Sequence, residues 1–137
     1  MNYLLDTNVL SETRKRHRNR GVTQWLTEIP KERLHLSVMT VGEIARGITR
    51  LVARGDHRQA AVLETWLDQI VEDFDRRILP VTIDVAREWA AQSPARVAPV
   101  ADALIAATAK VHGWTLVTRN VKDFEPTGVR LLNPFSD

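Results

Sequence analysis

The sequence has no cysteine among its 137 residues. A chain without cysteine forms no disulfide framework, zinc knuckle, iron–sulfur cluster or thiol nucleophile, which excludes the functions that depend on them. The sequence also lacks an apolar run approaching the ~18 residues of a membrane-spanning helix, and no basic-then-apolar leader precedes Asp6. We therefore expect a cytoplasmic protein without a membrane segment.

A strong excess of charge of one sign is also missing. Lys and Arg total 19 against 17 Asp and Glu, so the net charge of +2 is too small to indicate nucleic-acid binding by itself. The distribution is uneven, because residues 1–58 hold 11 basic and 6 acidic side chains. A dense basic run in this half contains Arg14, Lys15, Arg16, Arg18 and Arg20. The run is a candidate contact for RNA phosphates or for a partner protein, and a solvated loop is the alternative interpretation.

What the sequence does contain is an alternation of short apolar runs with amphipathic segments. Its length fits one domain, residues 1–137, at roughly 100–200 residues per domain. Runs rich in Val, Ile and Leu predict five strands, at 2–5, 34–38, 77–81, 114–118 and 129–132. Helical spacing of apolar residues predicts helices at 22–29, 40–52, 59–74, 84–92 and 101–112, with a break at 93–96. This alternation predicts an α/β protein, a three-layer α/β/α sandwich around a mostly parallel five-stranded sheet.

Four acidic residues fall near the predicted strand ends. Asp6 ends the first strand, Glu43 lies in the first turn of the helix after the second, Asp102 opens the helix before the fourth, and Asp123 follows the fourth. In an open parallel sheet, ligands bind outside the carboxyl ends of the strands, where the strand order reverses. Clustered carboxylates need a cation, because close like charges raise one another's pKa. Oxygen ligands without cysteine favour Mg²⁺ or Mn²⁺, which can activate water for phosphoryl transfer.

Each acid also has a purely structural interpretation. Asp6 could cap the turn after its strand, and Glu43 could complete a capping box with Thr40 at a helix start. Asp102 in a first helical turn could complement the helix dipole, and Asp123 could be an ordinary surface acid. The shared position of all four at one end of the sheet is what favours a metal site.

The chain resembles the PIN-domain family, and more narrowly the VapC toxins with their FitB-like branch. The resemblance spans nearly the whole chain and is carried by motifs in a fixed order: Leu5-Asp6-Thr7-Asn8-Val9, then Ser37-Val38-Met39-Thr40-Val41-Gly42-Glu43-Ile44, then Asp102-Ala103-Leu104-Ile105-Ala106-Ala107-Thr108-Ala109, then Thr118-Arg119-Asn120-Val121-Lys122-Asp123-Phe124. The ending Leu132-Asn133-Pro134-Phe135 is also typical of the family.

The resemblance implies a Mg²⁺- or Mn²⁺-dependent endoribonuclease, the toxin of a type II toxin–antitoxin pair. Such enzymes cut structured RNA, often a transfer RNA, form homodimers, and are silenced by a cognate VapB-type antitoxin in a higher assembly. Asp6 and Asp102 match the family's best-marked metal ligands, and Glu43 matches its third acid. For the fourth, many relatives carry Asp directly after the Thr-Arg pair, where this chain has Asn120. We assign that role to Asp123, with Asn120 as its hydrogen-bonding neighbour.

The polar neighbours of these acids have two interpretations as well. Thr7, Asn8 and Thr118 resemble the side chains that orient the family's carboxylates, and simple turn chemistry would explain them too. Arg46 and Arg50, on the helix after Glu43, are candidates for phosphate or antitoxin contact or are ordinary surface charge.

Two other functions compete with a nuclease. A haloacid-dehalogenase-type phosphatase would need Asp and Thr where this chain has Asn8 and Leu10. A non-catalytic RNA- or partner-binding domain with a weakened metal site is the stronger rival, and Asn120 is the residue that supports it.

Overall fold

A computed structural model describes residues 1–92 and 99–136. The strands are β1 (Tyr3–Leu5), β2 (Leu34–Ser37), β3 (Ile78–Leu79), β4 (Thr115–Val117) and β5 (Arg130–Leu132). The α-helices are α1 (Thr7–Glu12), α2 (Arg20–Glu28), α3 (Val38–Ala53), α4 (His57–Phe74), α5 (Ile83–Ala90), α6 (Val100–His112) and α7 (Val121–Phe124). Short 3₁₀ turns at Lys31–Arg33, Asp75–Arg77 and Glu125–Thr127 precede β2, β3 and β5.

The five strands form one sheet in the order β3-β2-β1-β4-β5, and every pair is parallel. The chain builds outward from β1 through β2 to β3, then crosses to the other side of β1 to form β4 and β5. The order therefore reverses between β1 and β4, whose carboxyl ends meet at the pair Leu5 and Val117. This is the crevice in which open α/β sheets bind ligands.

Apolar residues pack on both faces of the sheet, which explains the unbroken hydrophobic run of β1. Leu4 belongs to a cluster with Ile105 and Ala109 of α6, and Leu5 belongs to a cluster with residues of α1, α2, α3 and α4. Successive side chains of a strand point to opposite faces. The helices therefore form a layer on each side, which confirms the three-layer sandwich and the five-stranded sheet.

Local signals explain where several helices begin and end. The carboxylate of Asp6 caps α1, Asn19 caps α2 and Ser37 caps α3, each by accepting from a backbone N–H of the first turn. Gly113 ends α6 at a φ of 71°, a conformation that glycine adopts without penalty.

Some sequence predictions differ from the structure. The capping box of Thr40 and Glu43 is wrong, because α3 already begins at Val38 with Ser37 as its cap. Glu43 consequently lies in the second helical turn rather than the first. Helices α1 and α7 are not among the predicted helices, and the strands are shorter than predicted by up to two residues at an end. The predicted break at 93–96 lies outside the described residues. In the described ranges, no helix combines the length and the apolar character needed to cross a membrane.

Candidate metal centre

Three carboxylates converge at the crevice between β1 and β4. Asp6 comes directly after β1, Glu43 from the second turn of α3, and Asp102 from the first turn of α6. One carboxylate oxygen from each lies within 4.8 Å of the others. Three elements that are distant in sequence therefore bring their acids to one point.

Asp6 is the most buried of the three, with 4% of its surface exposed. Its Oδ1 accepts from the N–H of Thr7 at 2.8 Å, and its Oδ2 accepts from the hydroxyl of Thr118 at 2.7 Å and from Nδ2 of Asn8 at 3.2 Å. Burial raises the pKa of Asp6, and these hydrogen bonds offset part of the rise. Both oxygens are thus held in defined positions.

Thr7 connects two of the acids. Its backbone N–H donates to Asp6, and its hydroxyl donates to Oε1 of Glu43 at 2.6 Å. The start of α3 at Val38 places Glu43 on the helix face that Thr7 reaches. Thr7, Asn8 and Thr118, which the sequence analysis proposed as neighbours of the carboxylates, each form hydrogen bonds with Asp6 or Glu43.

The pKa of Asp102 is raised by its surroundings. Its pKa rises to about 6, first because of burial and then because of the negative charges of Asp6, Glu43 and Asp123. In the described part of the chain, no Lys or Arg forms an ion pair with Asp6, Glu43 or Asp102. Three hard oxygen donors with no cationic side chain among them are the donor set that Mg²⁺ or Mn²⁺ binds, so the residues fit a divalent cation.

Asp123 lies at the edge of this cluster. Its side chain is exposed on α7, yet its charge is close enough to raise the pKa of Asp102. Asn120 donates its backbone N–H to the hydroxyl of Thr118 at 3.0 Å, and its carbonyl accepts from the N–H of Asp123 at 3.1 Å. Asn120 therefore links Asp123 to the site through its backbone.

Comparison with known proteins identifies the scaffold, since the PIN domain family model matches residues 3–127. The chain belongs to the PIN-domain family. It is 33% identical to the VapC ribonuclease Y4jK of Sinorhizobium fredii, covering 96% of each chain. It is 36% identical to the toxin FitB of Neisseria gonorrhoeae, covering 98% of this chain and 99% of that one. The crystal structure of FitAcB from Neisseria gonorrhoeae superposes with a TM-score of 0.83 at 36% identity, covering 96% and 97% of the two chains.

These findings confirm the predicted resemblance to the VapC and FitB toxins. They also confirm the PIN-like architecture predicted from the alternation of strands and helices. Asp6, Glu43 and Asp102, which lie in three of the motifs that carry the resemblance, form the acidic cluster of this PIN domain.

The basic run of the PIN domain lies in the loop between α1 and α2, and contacts of three of its side chains hold part of this loop in place. Lys15 pairs with Glu12 at 3.0 Å, Nε of Arg18 donates to the carbonyl of Lys15, and the guanidinium of Arg14 lies 5.6 Å from the ring centre of Trp66. Arg16 extends into solvent within the loop.

The remaining predicted cations of the PIN domain lie on helices. Arg20 begins α2, whereas Arg46 and Arg50 are exposed on α3 beyond Glu43. All of these positions are compatible with contact to a phosphate backbone, because each charged group is accessible.

Sequence reasoning missed Glu12, the buried acid of α1, which is 4% exposed. Its Oε2 accepts the backbone N–H of Asn19 at 2.8 Å. The pKa of Glu12 is lowered mainly by this hydrogen bond, to a smaller extent by the contact with Lys15, and least by the charge of Arg119. The available signal in the sequence was a lone acid just before the basic run. Glu12 anchors that loop to the body of the PIN domain.

Proposed function

We propose that this PIN-domain protein is a metal-dependent endoribonuclease, the toxin of a type II toxin–antitoxin system. Its substrate is structured RNA, with transfer RNA as the first candidate, and the reaction is hydrolysis of a phosphodiester bond. The observation that carries the proposal is the convergence of Asp6, Glu43 and Asp102 within 4.8 Å on a scaffold shared with a VapC ribonuclease.

Asp6, Glu43 and Asp102 would hold Mg²⁺, with Mn²⁺ as a substitute, and Asp123 would complete the acidic set from the side of α7. When bound, a divalent cation lowers the pKa of water and stabilises the charge that develops on phosphate oxygens. This chemistry needs no nucleophile from the protein, in agreement with a chain that has no cysteine.

The protein's own residues have two tasks in this proposal. Thr7, Asn8 and Thr118 hold the carboxylate oxygens in fixed orientations, so the cluster needs little rearrangement when a cation arrives. The exposed cations of the α1–α2 loop, together with Arg46 and Arg50, neutralise the RNA backbone. Phosphate contacts of this kind supply affinity without reading sequence.

The proposal is tested by incubating the purified protein with bulk transfer RNA in Mg²⁺, Mn²⁺ or EDTA. We expect cleavage that requires the metal and that is lost in Asp6→Asn and Asp102→Asn proteins. Asp68→Asn, on the exposed face of α4, is the matched control and should cleave normally. If the two site variants cleave like the unmodified protein, the site is wrong. If the protein binds RNA but neither takes up metal nor cleaves, it is the non-catalytic binding domain.

We also propose a cognate VapB-type antitoxin as the partner that silences the enzyme, and a groove in this chain suits such a partner. A cavity of about 620 Å³ lies between α2 and α4, with an apolar lining that includes Leu26, Ile70 and Phe74. Three basic residues and one acid also line it: Arg18, Lys31, Arg77 and Asp73. An amphipathic antitoxin segment with acidic flanks matches both the apolar lining and the positive charge.

Antitoxin binding is measured with the small protein encoded beside this gene, co-purified with the toxin. Lys31→Glu should weaken the complex, because it reverses a charge of the groove. Arg58→Glu, an equivalent reversal at the exposed start of α4, serves as the control. Equal binding by both variants would show that the antitoxin docks elsewhere.

A homodimer is the third part of the proposal. Large apolar side chains are exposed at the start of α5 and at the start of α6, two helices that pack together: Ile83 is 74% exposed and Val100 is 58% exposed. Trp89, near the end of α5, is also exposed. A second copy of the chain would cover exposed apolar side chains of this helix pair, in line with the homodimers expected from the resemblance to VapC toxins.

A further inference from the structure

Ser136, in the segment 133–136, forms four hydrogen bonds with residues at the start of α2. Nδ2 of Asn19 donates to the carbonyl of Ser136 at 2.8 Å, and Oδ1 of Asn19 accepts from the backbone N–H of Ser136 at 3.0 Å and from its hydroxyl at 3.2 Å. The backbone N–H of Gly21 donates to the same hydroxyl at 3.1 Å. We call this arrangement the Asn19–Ser136 clasp.

Gly21 shows how closely the segment approaches the helix. A Cβ at this position would lie 2.3 Å from the carbonyl oxygen of Pro134 and 2.7 Å from the backbone nitrogen of Ser136. Both atoms belong to the backbone, so neither can turn away as a side chain would. The close approach of this segment to α2 therefore requires glycine at residue 21.

The clasp fixes Phe135, which contacts a cation next to the acidic cluster. The ring of Phe135 packs against the core cluster that contains Leu5 and Val9, and the guanidinium of Arg119 lies 4.7 Å from its centre. A cation held over an aromatic face is attracted by the ring's quadrupole. The position of Arg119 thus depends on the position of Phe135.

The backbone of Arg119 belongs to the metal site itself. Arg119 follows Thr118, whose hydroxyl donates to Asp6, and its own N–H donates to Oδ1 of Asn8 at 3.2 Å. In the described ranges, the guanidinium forms no ion pair with a carboxylate, and the residue is exposed. Its charge also contributes to lowering the pKa of Glu12, after Asn19 and Lys15. Arg119 therefore lies between the acidic cluster and the basic loop.

We propose that Arg119 binds an RNA phosphate next to the carboxylate cluster, and that Phe135, fixed by the Asn19–Ser136 clasp, is the residue that positions it. The inference rests on the proposed ribonuclease function and adds a specific contact to it. A polyanion crossing from the loop that follows Glu12 to the acidic cluster would pass this guanidinium.

The test measures binding of bulk transfer RNA in Ca²⁺ over a series of KCl concentrations, for the unmodified protein and its variants. Arg119→Gln should weaken binding about threefold to tenfold and reduce the slope of log K against log salt by about 1, as expected for one lost phosphate contact. Phe135→Leu should shift both quantities in the same direction, whereas Phe135→Tyr, which keeps the ring, should retain them. Affinity for Mn²⁺ should be unchanged in all three variants.

A double variant separates positioning from general destabilisation. Arg119→Gln combined with Phe135→Leu should bind RNA no more weakly than Arg119→Gln alone, because both changes remove the same contact. Arg58→Gln, on the exposed start of α4, controls for the loss of one positive charge. An unchanged salt slope in Arg119→Gln, or additive losses in the double variant, would overturn the inference. So would a loss of antitoxin binding without a loss of RNA binding.

The binding test distinguishes a failure of the Arg119 contact from a failure of the proposed function. RNA binding in Ca²⁺ is measured without turnover, so the comparison stands even if no metal supports cleavage. A protein that cleaves RNA normally but whose Arg119→Gln variant binds RNA with unchanged affinity would refute the phosphate contact alone. A protein that binds through Arg119 but never cleaves would refute the nuclease alone.

Discussion

Thr118 donates its hydroxyl to Oδ2 of Asp6 at 2.7 Å, joining the carboxyl ends of β4 and β1 where the strand order of the sheet reverses. The same hydroxyl accepts from the backbone N–H of Asn120 at 3.0 Å. One side chain thus links the most buried carboxylate to the segment that leads to Asp123. Parallel pairing of β1 and β4 brings Thr118 and Asp6 together, so this contact of the site is determined by the sheet.

Thr118→Val should weaken binding of Mn²⁺ about tenfold or more, because partners that orient metal ligands commonly contribute that much to affinity. The substitution keeps the shape of the side chain and removes the hydroxyl. Calorimetric titration of the metal-free protein with Mn²⁺ measures the effect. Thr108→Val is the matched control, since Thr108 is also fully buried but donates to the carbonyl of Leu104 within α6. Equal Mn²⁺ affinity in the two variants would contradict the orienting role.

Asp102 should make the metal-free protein less stable as pH rises. Its pKa of about 6 lies above the ordinary value of 3.8, so between these values the folded chain holds a proton that the unfolded chain has released. Stability falls with rising pH wherever the folded state binds more protons. Asp102→Asn should therefore raise the melting temperature of the metal-free protein at pH 7 by a few degrees and abolish the rise that Mn²⁺ produces.

Thermal melts between pH 4.5 and pH 7.5, with and without Mn²⁺, measure this effect. Asp84→Asn is the control, because Asp84 also lies in a first helical turn but is exposed on α5. It should lower the melting temperature slightly through the helix dipole and leave the response to Mn²⁺ intact. If Asp102→Asn lowers the melting temperature at pH 7, the carboxylates do not repel one another as described.

Glu12 should give the opposite dependence on pH. The backbone N–H of Asn19 and the ammonium of Lys15 lower its pKa below the ordinary 4.5, so the folded chain releases this proton more readily than the unfolded chain. The resulting stabilisation is complete above that value and is lost as pH falls through the folded pKa. Glu12→Gln should therefore lower the melting temperature at pH 7, with a difference that shrinks in acid. Glu28→Gln, exposed at the end of α2, should have little effect at any pH.

The places of Asp6 and Asp102 in the fold were predictable because they follow from local patterns. Asp6 interrupts an apolar run where a buried strand must end, and Asp102 lies in the first turn of a helix with clear apolar periodicity. The parallel alternation of strands and helices then determines which ends meet. No information on long-range contacts was needed to place these two residues at one edge of the sheet.

Other features of the site could not be predicted from local sequence patterns. Ser37 and Thr40 are both able to cap a helix. Ser37 is the cap because β2 ends there, where it pairs with β3. Glu43 therefore lies in the second turn of α3 and not in the first. The role of Glu12 depends on Asn19, seven residues away across a loop of irregular backbone. The clasp joins residues 117 positions apart in the chain. Such contacts are set by tertiary packing.

Ile83→Glu should convert the proposed homodimer into a monomer. Ile83 is 74% exposed at the first position of α5, so a glutamate there keeps the helix intact and interacts favourably with the helix dipole. In a dimer interface the same charge would be buried without a partner, which weakens association. Light scattering coupled to size-exclusion chromatography measures the mass of each variant at several protein concentrations. Val62→Glu, at a 52% exposed position of α4, is the control and should leave the mass unchanged. A dimeric Ile83→Glu protein, or a monomeric parent, would show that this surface does not pair two copies of the chain.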